Sequence, residues 1–165
     1  MLKNISPLIS PELLKILSEM GHGDEIVLAD SNFPAKSTAA GHEFVRADGI
    51  GVLDQLHAIL PLFPLDTKDK ENFLVMQVVD GDPIPEIWND FQNILNTYEP
   101  DCQITYIERF AYYERARKAY AVIATGETAP YANVVLKKGD ICLYLFYKIR
   151  RPFMNRHIRM MMQLL

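Results

Sequence analysis

Short apolar segments alternate with segments of helical periodicity along most of this 165-residue chain. The apolar run at residues 25–29 predicts a buried strand. Before it, Ser10 suits a helix N-cap, Pro11 the first helical position and Gly21 the residue after the helix end. Such alternation is typical of an α/β fold, in which helices pack on a parallel or mixed sheet.

The same reasoning places the other elements. Helices are predicted over residues 52–60, 85–95 and 108–118. Further strands are predicted at residues 73–79, 103–107, 120–125 and 133–136. No strand or helix is predicted between residues 31 and 51. A chain of this length suits one packed domain. We therefore predict a single α/β domain with a mixed, mostly parallel sheet flanked by helices.

The net charge of −4 is unevenly distributed. Residues 140–165 hold five basic side chains against Asp140 alone, so they carry +4 and residues 1–139 carry −8. Because binding to phosphates needs concentrated positive charge, an acidic body disfavours nucleic acid as the main partner. A neutral small-molecule substrate is unaffected by this argument.

Several other classes of protein lack support in the sequence. There is no glycine-rich phosphate loop, no zinc-binding spacing of histidine and cysteine, and no Gly-x-Ser-x-Gly motif of a hydrolase. No apolar run is long enough to span a membrane, and the N-terminus lacks the apolar stretch of a secretory signal. The two cysteines suggest reduced thiols, so we expect a cytoplasmic protein.

Residues 140–165 differ from the rest of the chain. An apolar run at residues 141–147 is followed by sequence rich in arginine and methionine. Three interpretations compete for this segment: an additional packed strand and helix, a helix lying on a membrane surface, or a segment without a selected function.

Two residues near the first predicted strand are candidates for chemistry. His22 lies between two glycines before the strand, and its imidazole can donate or accept a proton near neutral pH. Asp30 ends the strand, where ligands of open α/β sheets bind. The alternatives are a structural loop histidine and an aspartate that caps a turn. Because the two residues lie at opposite ends of the strand, only a fold-back or a neighbouring subunit would bring them together.

Three residues later in the chain are candidates for binding hydroxyl groups. Arg109 lies among aromatic residues and could donate hydrogen bonds to a ligand or be an ordinary surface charge. Tyr131 and Asn133 follow a predicted turn, and both could bind a polyol, although asparagine also serves turn geometry.

The sequence resembles the L-fucose mutarotase / D-ribose pyranase family over residues 1–139. Characteristic segments include Met-Gly-His-Gly-Asp-Glu-Ile at residues 20–26 and Arg-Ala-Asp-Gly at residues 46–49. Similar segments lie, in the family's order, at residues 5–14, 29–35, 108–116 and 125–139. Residues 140–165 fall outside the family pattern. We therefore divide the chain into a sugar mutarotase domain, 1–139, and a C-terminal extension, 140–165.

The resemblance implies an α/β isomerase that interconverts the α and β anomers of L-fucopyranose. It implies a ring-like homo-oligomer such as a decamer, with the monosaccharide bound near subunit contacts. It implies no metal and no organic cofactor, and the charge distribution and the lack of a long apolar run predict no nucleic-acid partner and no membrane. Under this resemblance, His22 is the proton donor, and Asp30, Arg109, Tyr131 and Asn133 bind the substrate. We add Ala132, which lies between the last two, to the substrate-binding residues. Our hypothesis makes Tyr131, or a water that it holds, the catalytic partner of His22.

One position leaves the choice of sugar open. The fucose branch usually has glycine between the tyrosine and the asparagine, whereas Ala132 stands there and resembles the ribose branch. Arg109 and the segment at residues 46–49 resemble the fucose branch. We therefore predict L-fucose mutarotase activity, with D-ribose pyranase activity and a non-catalytic sugar-binding protein as alternatives.

Overall fold

The order of helices and strands follows the alternation in the sequence. A computed structural model describes residues 2–141 of the chain. Within that range the elements are α1 (Pro11–Glu19), β1 (Glu25–Ala29), α2 (Ala35–Thr38), β2 (Glu43–Ala47), α3 (Val52–Ile59), β3 (Phe73–Met76), α4 (Ile87–Tyr98), β4 (Thr105–Ile107), α5 (Arg109–Ala116), β5 (Ala121–Thr125) and β6 (Val134–Lys137). The predicted N-cap is confirmed, since the Ser10 hydroxyl accepts a hydrogen bond from the Leu13 amide at 3.1 Å.

The strands form one mixed sheet in the order β2-β5-β1-β6-β3-β4. Strand β5 pairs in parallel with β1 and β2, and β3 pairs in parallel with β4. Strand β6 lies between β1 and β3 and runs antiparallel to both. The predicted single domain with a mixed sheet is confirmed.

Helices cover both faces of the sheet. The larger core packs α1, α3 and α4 on one face, and a smaller core packs α2 and α5 on the other. Alternate residues of β1 point into the two cores, Ile26 and Leu28 into the larger and Val27 into the smaller. Burial on both faces explains why β1 is an uninterrupted apolar run rather than an alternating one.

The structure corrects the prediction for residues 35–51, where it places α2 and β2. Strand β2 forms one edge of the sheet, and only Val45 and Ala47 of its five residues are buried. An edge strand with solvent on one side carries charged residues such as Glu43 and Arg46, and these conceal the apolar pattern.

The described residues end within the segment that was assigned to a C-terminal extension. Of residues 140–165, only Asp140 and Ile141 are described, so the three interpretations of this segment concern residues outside the described range. Between residues 2 and 141, no helix is long and apolar enough to cross a membrane.

Candidate functional site

Four of the predicted site residues meet at one end of the sheet, where the parallel strands finish. Asp30 follows β1 and Arg109 follows β4, so both lie where strands of the same direction end. Strand β6 runs in the opposite direction, so it begins at that end of the sheet. This places Tyr131 and Asn133 beside Asp30. Open α/β sheets bind their ligands at the carboxyl ends of the strands, which is this end of the sheet.

These side chains border an open cavity of about 220 Å³. Its lining combines carboxylate, amide, guanidinium and phenol groups with three apolar side chains. The lining residues are Asp30, Asn32, Phe33, Met76, Arg109, Tyr113, Pro130, Tyr131 and Asn133. A shallow site with many hydrogen-bonding groups suits a small polar ligand.

Asp30 and Asn133 hold each other in a reciprocal pair at the base of the cavity. The Asp30 amide donates to Asn133 Oδ1 at 2.8 Å, and Asn133 Nδ2 donates to Asp30 Oδ2 at 2.7 Å. The other carboxylate oxygen of Asp30 accepts from the amides of Asn32 and Phe33, each at 2.9 Å. Both partners are buried, so the orientation of the carboxylate is set before any ligand arrives.

The electrostatics of Asp30 result from two opposing effects. Burial raises the pKa of this carboxyl group, and hydrogen bonds from Asn32, Phe33, Asn133 and the backbone of Ala132 lower it; the net pKa is above its usual value. A carboxylate has about four acceptor positions, and these four donors occupy them, so a ligand hydroxyl would bind Asp30 by sharing or displacing one of the donors.

Tyr131 has an unusual backbone conformation. Its φ angle of 55° lies in the left-handed region, which costs a bulky residue roughly 1–3 kcal/mol. The indole Nε1 of Trp88 donates to the Tyr131 carbonyl at 3.2 Å and helps to hold the turn. Residues kept in such conformations cluster at binding and catalytic sites.

The Tyr131 hydroxyl takes part in a short polar chain at the mouth of the cavity. It donates a hydrogen bond to the Asp82 carboxylate and accepts one from the Val79 amide at 3.3 Å. The hydrogen bond to Asp82 raises the pKa of the Tyr131 hydroxyl, while the Val79 amide and the Arg109 charge lower it. Tyr131 is therefore protonated at neutral pH, and its hydroxyl hydrogen is directed at the Asp82 carboxylate.

Arg109 is positioned by the start of α5. The Glu108 carboxylate caps this helix by accepting from the amides of Phe110 and Ala111, at 2.8 and 3.0 Å. Arg109 is the first helical residue, and its exposed guanidinium has no carboxylate partner among residues 2–141. Its donors are therefore available to a ligand in the cavity.

Ala132 takes a different position from its neighbours. Its side chain is fully buried in the larger core and does not line the cavity. Only its backbone faces the site, where it contributes a hydrogen bond to Asp30. A substrate-binding role for Ala132, which stays a prediction, would therefore act through the backbone.

His22 is not part of this cavity within the chain. It precedes β1 whereas Asp30 follows it, and a five-residue strand spans about 16 Å. The His22 side chain is half-exposed, with Nε2 at 3.3 Å from Asp66 Oδ2 and Nδ1 at 3.9 Å from Asp140 Oδ1. As expected from the sequence, His22 and Asp30 lie at opposite ends of β1.

The sequence pattern of the RbsD / FucU transport protein family matches residues 3–141. The chain belongs to this family. The family resemblance recognised in the sequence is thereby confirmed.

Solved structures of RbsD / FucU proteins share the fold. The fucose mutarotase of Streptococcus pneumoniae, crystallised with L-fucose, is 48% identical, with a TM-score of 0.80 over 86% of this chain and 100% of its own. FucU of Bifidobacterium longum is 45% identical, with a TM-score of 0.82 over 85% of this chain and 100% of its own. RbsD of Bacillus subtilis, crystallised with D-ribose, is 24% identical, with a TM-score of 0.65 over 86% of this chain and 100% of its own, and supports the fold alone.

Sequence reasoning missed several groups at the site of this RbsD / FucU protein. Asp82, which accepts from Tyr131, lies in a turn without a distinguishing local pattern. Phe33 and Tyr113 stack with ring centroids 5.4 Å apart and form an apolar wall of the cavity. Phe33 is close to Asp30 in the sequence and Tyr113 is close to Arg109, and this proximity is the signal that could have identified them as site residues.

The family fold presents few groups for other kinds of chemistry in this chain. Among the described residues, no group of three or more histidine, cysteine, aspartate or glutamate side chains could hold a metal ion. Cys102 is a buried free thiol, and burial raises its pKa to about 11. A thiol of that kind is a poor nucleophile at neutral pH.

Proposed function

We propose that this chain is an L-fucose mutarotase, an isomerase that interconverts the α and β anomers of L-fucopyranose. The observation that carries the proposal is the 48% identity to a fucose mutarotase over its whole length. The cavity supports it independently, because its neutral and charged hydrogen-bonding groups suit an uncharged sugar and include no phosphate-binding loop.

The cavity offers partners for several hydroxyl groups of one pyranose ring. We assign Asp30 as an acceptor, Arg109 as a donor, and Asn133 as the residue that holds Asp30 in place. The stacked rings of Phe33 and Tyr113 provide a wall for the apolar edge of the sugar, where L-fucose carries a methyl group. The backbone of Ala132 completes the segment between Tyr131 and Asn133.

Anomer exchange requires the ring to open and close. The ring oxygen gains a proton, the anomeric hydroxyl loses one, and the bond between the ring oxygen and the anomeric carbon breaks. The resulting aldehyde rotates and closes on its other face, which reverses both proton transfers. A general acid and a general base positioned at these two oxygens accelerate such a reaction by roughly 10²–10⁴-fold each.

We assign the acid to His22 and the relay at the anomeric hydroxyl to Tyr131. As imidazolium, His22 can donate to the ring oxygen and then recover the proton on closure. Tyr131 can accept the proton of the anomeric hydroxyl while passing its own to Asp82, to which it is already hydrogen-bonded. Both groups end each turnover as they began.

This assignment requires two copies of the chain at each site. His22 and the cavity lie at opposite ends of β1, so one copy cannot supply both. We therefore propose a ring-like homo-oligomer, such as a decamer, in which a neighbouring copy brings its half-exposed His22 to the cavity. Closed rings of one protein form when each subunit uses two different surfaces for its neighbours.

Mixing two impaired variants tests the shared site. His22→Asn and Arg109→Ala proteins, unfolded together and refolded as mixed oligomers, should regain about a quarter of wild-type activity, because random neighbours assemble one intact site in four. Activity is measured at L-fucose concentrations well below the wild-type Kd, where the weaker binding of Arg109→Ala also lowers the rate. The variants refolded separately are the control. If mixing restores no activity, His22 and Arg109 come from the same copy.

Saturation-transfer NMR tests the activity itself. The wild-type protein should speed exchange between α- and β-L-fucopyranose without added metal or nucleotide. Parallel spectra with D-ribose report exchange between its pyranose and furanose forms, so faster exchange there alone would favour the ribose pyranase alternative. Sugar binding without faster exchange of either sugar would identify a non-catalytic sugar-binding protein.

We also propose that residues 1–139 form the complete catalytic unit and that residues 140–165 are an extension. The family match to residues 3–141 supports a boundary near this position. A chain that ends at Gly139 should fold and exchange L-fucose anomers at the wild-type rate, as measured by circular dichroism and NMR. An insoluble or inactive truncated protein would place the extension in the core or in a subunit contact.

We further propose a cytoplasmic location. The buried reduced thiol of Cys102 supports it, because free thiols persist in a reducing compartment. Cell fractionation with antibody detection would test this assignment.

A further inference from the structure

The peptide bond between Tyr131 and Ala132 has a hydrogen-bond partner on each side. Its carbonyl, which belongs to Tyr131, accepts from the indole Nε1 of Trp88 at 3.2 Å. Its N–H, which belongs to Ala132, donates to the Asp30 carboxylate at the base of the cavity. The orientation of this one peptide plane therefore decides whether the carboxylate faces a donor or, after a flip of the peptide, an acceptor.

The turn around this peptide needs support from its surroundings. Tyr131 has a φ angle of 55°, and strand β6 begins only at Val134. A bulky residue in such a conformation persists only where its neighbours hold it. The Asp82 carboxylate and the Val79 amide bind the Tyr131 hydroxyl, so they fix the far end of the side chain. The backbone end of the residue is fixed separately, through its carbonyl.

Trp88 is a rigid donor to that carbonyl. It lies in the first turn of α4, where its amide donates to the Pro85 carbonyl at 3.2 Å, and it is only 7% exposed. Its ring packs in the larger core and contacts the ring of Tyr106, with centroids 4.9 Å apart. An indole has a single donor, and here the core fixes the direction in which that donor points.

We infer that Trp88 is a positioning residue whose indole N–H locks the Tyr131–Ala132 peptide. The lock keeps the Ala132 donor on Asp30 and holds the carboxylate in one orientation for a sugar hydroxyl. The inference rests on the proposed function for the identity of the ligand. A flipped peptide would turn a carbonyl oxygen toward the carboxylate, and two acceptors cannot form a hydrogen bond.

The alternative is that Trp88 contributes only its bulk to the larger core, and replacement of one group of atoms separates the two roles. The chain contains a single tryptophan, so an analogue supplied in place of tryptophan during expression enters at position 88 alone. β-(3-Benzothienyl)alanine has the same bicyclic shape with sulfur in place of the N–H, so it removes the donor and retains the packing. 5-Fluorotryptophan retains the N–H and is the matched control.

Hydrogen exchange at the Ala132 amide measures the lock without any sugar. The benzothienyl protein should exchange this amide about 5-fold faster than the wild type, the ratio expected for the loss of one hydrogen bond. The amide of Val27 in the paired strand β1 should keep its wild-type rate in the same protein. The 5-fluorotryptophan protein should exchange both amides as the wild type does.

Titration calorimetry with L-fucose measures the consequence at the site. The Kd of the benzothienyl protein should rise about 5-fold, because the ordering of the peptide and of Asp30 then has to occur on binding. The 5-fluorotryptophan protein should bind within about twofold of the wild type, since its donor is retained. A tryptophan that served only as bulk would leave the Kd unchanged in both proteins.

Failure of this inference and failure of the proposed function give different results. A wild-type protein that binds no L-fucose contradicts the proposed function, and exchange at the Ala132 amide still tests the lock. Equal Ala132 exchange in the wild-type and benzothienyl proteins would overturn the inference, as would an unchanged Kd. If the benzothienyl protein does not fold, the wild type decides: an indole N–H that exchanges as fast as that of free tryptophan overturns the lock, and a protected one supports it.

Discussion

Replacement of His22 by asparagine should leave a folded protein that still binds L-fucose and exchanges its anomers at least about 100-fold more slowly. Asparagine is polar and of similar reach, but it does not titrate near neutral pH and cannot donate a proton to the ring oxygen. His22 is half-exposed and outside both cores, so the substitution should not disturb packing. Saturation-transfer NMR measures the exchange rate and titration calorimetry the binding.

His42→Asn is the matched control for this variant. His42 is an exposed loop residue that lines none of the cavity, so its substitution should leave the exchange rate unchanged. Full activity in a folded His22→Asn protein would move the acid to another residue, with Tyr131 and Asp30 as the next candidates. An unfolded variant would instead assign His22 to the structure of the turn between α1 and β1.

Truncation of Arg109 should have the second-largest effect. Arg109→Ala should weaken L-fucose binding by about 1.5–3 kcal/mol, the usual contribution of hydrogen bonds to a charged group, or roughly 10- to 150-fold in Kd. The guanidinium is exposed and has no carboxylate partner within residues 2–141, so its loss should cost little stability. Titration calorimetry with L-fucose measures the change directly.

Arg117→Ala controls for the loss of a positive charge from the same helical region. Arg117 lies at the C-cap of α5, pairs with Glu114 and does not line the cavity. Its substitution should leave the affinity for L-fucose within about twofold of the wild type, because exposed charges act weakly over such distances. Equal affinities of wild type and Arg109→Ala would return Arg109 to an ordinary surface charge.

Most of the fold could be predicted because its signals are local. Strand β1 has the bounds that its apolar run predicted, and α1 begins at Pro11 after the predicted cap. The missed elements, α2 and β2, lack such signals: α2 has only four residues, and β2 exposes charged side chains at an edge of the sheet. Local periodicity fails where an element is short or half-solvated.

Four members of the candidate site were predicted from the sequence, but their arrangement was not. Asp30, Arg109, Tyr131 and Asn133 were selected from loop positions and family resemblance, and the structure places all four around one cavity. Two further carboxylates were not selected: Asp82, which binds the Tyr131 hydroxyl, and Asp66, which lies beside His22. Each is 44 to 49 residues from its partner in sequence, and no local pattern encodes so distant a contact.

The sequence by itself determined the class of fold, the start and end of its clearest elements and the family, because caps, turns and apolar runs act over a few residues. Tertiary structure alone decided which residues meet. Asp30 and Asn133 are 103 positions apart and pair because β6 enters the sheet antiparallel to β1. That direction places the start of β6 beside the end of β1, and it depends on the packing of the whole sheet between two layers of helices.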